Sequence, residues 1–239
     1  MDNPRVSSVP EFLVLRNGQS IESYRGYIER NKIEFPETVY VIGGGEVGAE
    51  YIDKIPKNAY TIAANSLAHH PRRWNWIHLF DRKCVQYEYY AEEHLSRHEH
   101  VLYSDILCKN AFQFSELGIY PWIKPACFAP YMPQLEQDEF NSGMQVLVPG
   151  ILRGGATVSA CSVQLAAQQP GVKRIVLCAV PFYGTGHWDG YHNPDALAYS
   201  EAWPWAELFN RFIRYVQEDL GIRVESMSPT ILEVSPYGG

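Results

Sequence analysis

Short apolar runs alternate with mixed, helix-like segments along most of the chain. β-rich runs fall at residues 39–42, 60–64, 76–80, 101–107, 174–180 and 222–225. Between several of them lie segments with helical character, at 46–54, 85–98, 157–168 and 201–220. Strands too apolar to alternate, separated by helices, predict parallel βαβ units and a sheet covered on both faces. In 157–168, small residues with Val158, Cys161, Val163 and Leu165 predict a helix packed closely on that sheet. In 201–220, Leu208, Phe212, Tyr215 and Leu220 recur near helical spacing beside charged positions, and Gly221 stands where a C-terminal cap belongs.

Two stretches depart from this rhythm. Residues 1–37 are punctuated by proline around a polar, helix-like segment at 21–31, which reads as an N-terminal extension packed on the main domain. Residues 109–150, rich in Phe, Tyr, Trp and Pro, carry no clear period. Such a stretch is a lid-like insertion or an irregular excursion over a sheet edge. The expected organisation is therefore an extension at 1–37 and one Rossmann-like α/β domain over 38–239, mainly parallel, with helices on both faces and an insertion at about 109–150.

Composition narrows the partners. The chain has 239 residues, of which 46% are hydrophobic and 20% charged, an ordinary globular balance. A net charge of −7, with no basic run, argues against a grip on nucleic-acid backbone. The five cysteines are odd in number and lack a CxxC pair, which fits a reducing compartment. The N-terminus lacks the basic start and apolar core of a signal peptide, and no apolar run approaches the roughly 18–20 residues of a membrane span. A cytoplasmic protein is expected.

The sharpest local motif is GxGxxG at Gly43, Gly45 and Gly48, which follows the 39–42 strand and precedes a short helix-like segment. Glycines there allow close backbone approach, and the peptide N–H groups can face a phosphate. A dinucleotide site wants an acid at the end of the second strand, but Asn65 and Ser66 stand there, which disfavours NAD or FAD. Asp81 ends the third strand, where it could hold a ribose, a metal or a neighbouring base. Later, Gly154 and Gly155 open the small-residue helix, and Tyr183, His187, Asp189, Tyr191 and His192 follow the next strand. This group supplies proton donors and acceptors suited to acid/base work or to stabilising a departing phosphate.

Taken together, these motifs resemble the bacterial sialyltransferases that use CMP-sialic acid. They also resemble the related MptE-like family of 6-hydroxymethylpterin pyrophosphokinases and motility accessory factors. The resemblance covers roughly 38–80 and 152–192. It implies that Gly43, Gly45 and Asn65 contact nucleotide, that Asp81 occupies a ligand position, and that Gly154 and Gly155 lie beside phosphate or base. It further implies that Tyr183 and Tyr191 steady the leaving phosphate. The sialyltransferases carry a base histidine downstream of the tyrosine pair, whereas residues 193–239 here contain none. His187, then His192, would take that role.

The function expected on this basis is a nucleotide-dependent transferase, glycosyl in type, with a CMP-sugar donor and an unidentified acceptor. The alternatives are a noncatalytic nucleotide-binding module, which the missing histidine and Glu46 favour, and a pyrophosphokinase using ATP and magnesium. Metal dependence and assembly as a homo-oligomer are left open. His69 and His70, and the run His94, His98 and His100, read as surface positions rather than metal ligands.

Overall fold

The computed structural model describes residues 11–14, 20–80, 92–104, 126–129, 131–132, 147, 149–153, 157–182 and 199–238. A short antiparallel hairpin, β1 (Phe12–Val14) with β2 (Ser20–Glu22), leads into α1 (Tyr24–Asn31). Ser23 caps this helix by accepting from the Gly26 N–H, and Lys32, in the left-handed region at φ 51°, ends it. Tyr24 and Tyr27 are buried in the main core, and the Tyr24 hydroxyl donates to Gln168 at 2.7 Å. This end of the N-terminal stretch is thus integral to the fold.

The main sheet holds β3 (Thr38–Ile42), β4 (Tyr60–Ala64), β5 (Trp76–Leu79), β6 (His100–Ser104) and β7 (Ala126–Ala129). After the two-stranded pairing of β8 (Tyr131–Met132) with β9 (Leu152–Arg153) come its last members, β10 (Arg174–Cys178), β11 (Arg223–Ser226) and β12 (Ser235–Pro236). The eight strands are ordered β12-β11-β10-β3-β4-β5-β6-β7, and every pairing is parallel. This is the expected α/β architecture. One part of the 109–150 stretch is not an irregular excursion: β7 extends the sheet as its edge strand.

Three further helices complete the described residues: α2 (Glu92–Leu95), α3 (Val158–Ala167) and α4 (Tyr199–Glu218). Thr157 caps α3 by accepting from the Ala160 N–H at 3.3 Å, and Gly221, at φ 66°, follows α4 where a cap was predicted. No helix among the described residues is long and apolar enough to cross a membrane. Cys127, Cys161 and Cys178 are buried thiols.

The direction of winding decides what covers each face. From β3 the chain steps outward through β4, β5 and β6, and right-handed crossovers put those connections on one side. From β10 it steps the other way, so α4 lies on the opposite side with α1 and α3. On the helical side, Val39, Val41, Ile62, Ile175 and Leu177 pack with Tyr27, Val163, Leu165, Phe209 and Phe212. On the other side, Tyr40, Ile42, Ala63, Ile77 and Val176 pack under Ile52, Leu67, Trp74 and Leu95. There the cover is made of short 3-10 segments, Ala49–Lys54 and Asn65–His69, and the single turn α2. The predicted helix at 46–54 is one of these: Ile55-Pro56 stops it before a full α-helix can form.

Candidate functional site

β3 and β10 are neighbours whose chains leave in opposite directions, so the sheet has its topological switch point between them. In open α/β sheets the crevice outside the carboxyl ends of such strands is where ligands bind. Two loops meet there, residues 43–48 after β3 and residues 179–182 after β10.

Their contact explains the glycines. The Gly43 N–H donates to the Cys178 carbonyl at 2.9 Å, and the Gly45 N–H to the Ala179 carbonyl at 3.3 Å. A methyl group on Gly43 would overlap the Ala179 oxygen, and one on Gly45 would come within 2.7 Å of Pro181 Cδ. Gly48, at φ 92°, adopts a left-handed conformation and would bring a side chain to 2.7 Å from Ser228 Cβ. Gly43 and Gly45 are therefore required by the close approach of the two loops, and neither offers a free N–H. The N–H groups of Gly44, Glu46, Val47 and Gly48 make no hydrogen bond among the described residues. Those four are the loop's available donors, although the exposed Glu46 carboxylate adds negative charge beside them.

The facing wall is strained. Ala179 (φ 53°) and Phe182 (φ 60°) are non-glycine residues in the left-handed region, each costing about 1–2 kcal/mol. The loop after β11 holds them in place. The Ala179 N–H donates to Ser228 Oγ at 2.9 Å, Thr230 Oγ1 donates to the Val180 carbonyl at 2.7 Å, and the Ile231 N–H donates to the Pro181 carbonyl at 3.2 Å. This bracing fixes where the chain departs toward Tyr183, His187, Tyr191 and His192. Those four residues, with Asp81, Gly154 and Gly155, lie outside the described residues.

Asn65 closes the carboxyl ends of the next two strands. It takes a left-handed φ of 46°, and its Oδ1 accepts from the Phe80 N–H at 3.0 Å. Its amide nitrogen has no partner among the described residues, so Asn65 can still donate to a ligand. Ser104 continues the line by donating to the Phe80 carbonyl at 3.1 Å.

His78 is the polar group that the apolar run at 76–80 concealed. It is fully buried, on the helical side of β5, with Nδ1 at 3.1 Å from Ser162 Oγ on α3. Desolvation pushes its pKa down to about 3, so the ring is neutral. No other feature of the sequence distinguishes it from a core histidine.

Among the described residues, the remaining histidines do not form a metal site. Both nitrogens of His98 are used, Nδ1 accepting from the Trp74 N–H at 3.2 Å and Nε2 donating to the Ala68 carbonyl at 3.1 Å. Burial pushes its pKa down to about 4. His94 stacks on His69, with ring centroids 4.1 Å apart, and its Nε2 lies 3.3 Å from the Glu93 carboxylate. Among the described residues, no group of three or more His, Cys, Asp or Glu side chains is arranged to hold a metal ion. In comparisons with known proteins, the chain matches no family model, no curated protein and no solved structure.

Proposed function

We propose that the chain is a nucleotide-dependent transferase, glycosyl in type with a CMP-sugar donor, whose nucleotide lies across the switch point between β3 and β10. The observation that carries this reading is the switch point of the sheet, with the two loops that meet there. A glycine loop, closed tightly on one flank, meets a strained segment, and Tyr183, His187, Tyr191 and His192 follow that segment in the sequence. In this reading the N–H groups of Gly44 and residues 46–48 hold phosphate. Asn65 donates to the nucleoside through its amide, Asp81 binds ribose, and Gly154 and Gly155 border the phosphate or base. Tyr183 and Tyr191 stabilise the departing phosphate, and His187, or else His192, takes the acceptor's proton.

A second reading has its own support. Gly43 and Gly45 spend their N–H groups on the neighbouring loop, and Glu46 sits beside those that remain. Both features fit a noncatalytic nucleotide-binding module as well as they fit an enzyme.

A thermal-shift panel with CMP, CDP, UDP, ATP and NAD, each with and without magnesium, tests the proposal. A ligand at about 100 times its Kd adds roughly 2.7 kcal/mol of stability. A metal-independent shift with CMP or CDP, followed by donor turnover that is lost in His187→Ala, is the expected result. Binding without turnover selects the module. A magnesium-dependent shift with ATP selects a pyrophosphokinase, and a shift with NAD alone, or with nothing, overturns the proposal.

A further inference from the structure

We infer that His78 reads the bound ligand, its Nε2 accepting a hydrogen bond from a hydroxyl or amino group of the nucleoside; this rests on the nucleotide reading above. The proton inventory around the ring supports it. Ser162 Oγ lies 3.0 Å from the Val158 carbonyl, a contact in which only the serine can donate. With that hydrogen on the carbonyl, Ser162 meets His78 Nδ1 as an acceptor. In this arrangement Nδ1 carries the proton, and Nε2, which has no hydrogen-bond partner among the described residues, keeps a bare lone pair.

Leaving such a buried nitrogen unsatisfied is costly, and an apolar side chain at this position would avoid the cost. The orientation resembles that of a functional histidine, whose tautomer is set by the bond its other nitrogen makes. The position is also suitable. His78 pairs in register with Ala64, the last residue of β4, and its partner Ser162 lies in the second turn of α3. The ring is therefore wedged between the carboxyl ends of the strands and the start of that helix, whose first peptide N–H groups face the same edge.

Nitrogen-15 NMR of the histidine-labelled protein, titrated with CMP, tests the inference. The His78 signals are assigned by their loss in His78→Met. In the free protein, Nδ1 should be the protonated nitrogen and Nε2 an unbonded lone pair. Saturating CMP should move Nε2 toward its hydrogen-bonded shift. His78→Met should bind CMP about tenfold more weakly, whereas His78→Gln, which keeps an acceptor near the Nε2 position, should stay within about threefold of the wild type. If CMP binds and Nε2 does not move, or if it is already hydrogen-bonded in the free protein, the inference fails and the nucleotide reading stands. Equal binding of CMP by His78→Met and wild type has the same consequence. No binding of CMP to the wild-type protein overturns both.

Discussion

The two faces of the sheet solve the same problem by different chemistry. On the helical side, α1, α3 and α4 satisfy their own backbones, and the attachment is mainly apolar: Phe209, Phe212, Ile213 and Val216 pack in the core with strand residues, beside a few polar links such as Tyr24 to Gln168 and His78 to Ser162. On the other side, the described connections between β3, β4 and β5 form 3-10 segments in place of regular helices, and such turns leave carbonyl groups for side chains to bind. Side chains supply the missing donors. Arg72 bonds the Ile55 and Pro56 carbonyls, Trp74 Nε1 bonds Leu67, and His98 bonds Ala68. One face is held mainly by buried area, the other by buried area plus a set of individually necessary hydrogen bonds.

The largest effect should come from the helical face. Phe212→Ala removes a fully buried ring and should cost about 3–5 kcal/mol in a urea unfolding curve, at any pH where the protein is folded. A loss under 1 kcal/mol would show that apolar packing does not anchor that face.

His98→Leu strikes the turn face and strands both the Trp74 N–H and the Ala68 carbonyl, at about 1–3 kcal/mol each. Unlike Phe212→Ala, it should change the pH dependence. In the unfolded chain this histidine titrates near 6.5, and in the folded protein near 4. Between those values the unfolded state binds the proton that the folded state refuses, so stability should fall as pH drops from about 6.5 toward 4. His78, with its pKa of about 3, extends the decline further down. Unfolding curves across this range should be flatter in His98→Leu than in wild type; equal slopes would remove His98 from the account.

At the switch point, Gly43→Ala should destabilise by about 1–3 kcal/mol, because its methyl group meets the Ala179 backbone. Gly221→Ala, at φ 66° but with open space around it, should cost about 1 kcal/mol. Thermal melts of the two variants separate close approach from backbone strain. The smallest effect is expected from Arg25→Ala, which removes an exposed i, i+4 pair with Glu29 and should change stability by under about 0.5 kcal/mol.

Much of the fold was legible because its strands are continuous apolar runs: 39–42, 60–64 and 174–178 were identified within a residue or two. α3 was found from its small residues rather than from a period, since nearly every position is buried and no polar stripe exists. β7 was hidden because Ala126–Ala129 is a four-residue edge strand flanked by proline-rich sequence. The glycine loop was recognised, but its spacing could not reveal that two of its N–H groups are taken by Cys178 and Ala179, residues far away in sequence. His78 was invisible for a related reason. Only packing brings Ser162, 84 residues on, to its Nδ1 and leaves its Nε2 without a partner among the described residues.

The claim that the β3/β10 crevice is the ligand site is tested most directly by hydrogen–deuterium exchange of the full chain with and without saturating CMP. Slowed exchange concentrated in residues 43–48 and 179–182 is the predicted result. Protection confined to the opposite edge of the sheet, or none in either loop, would contradict it.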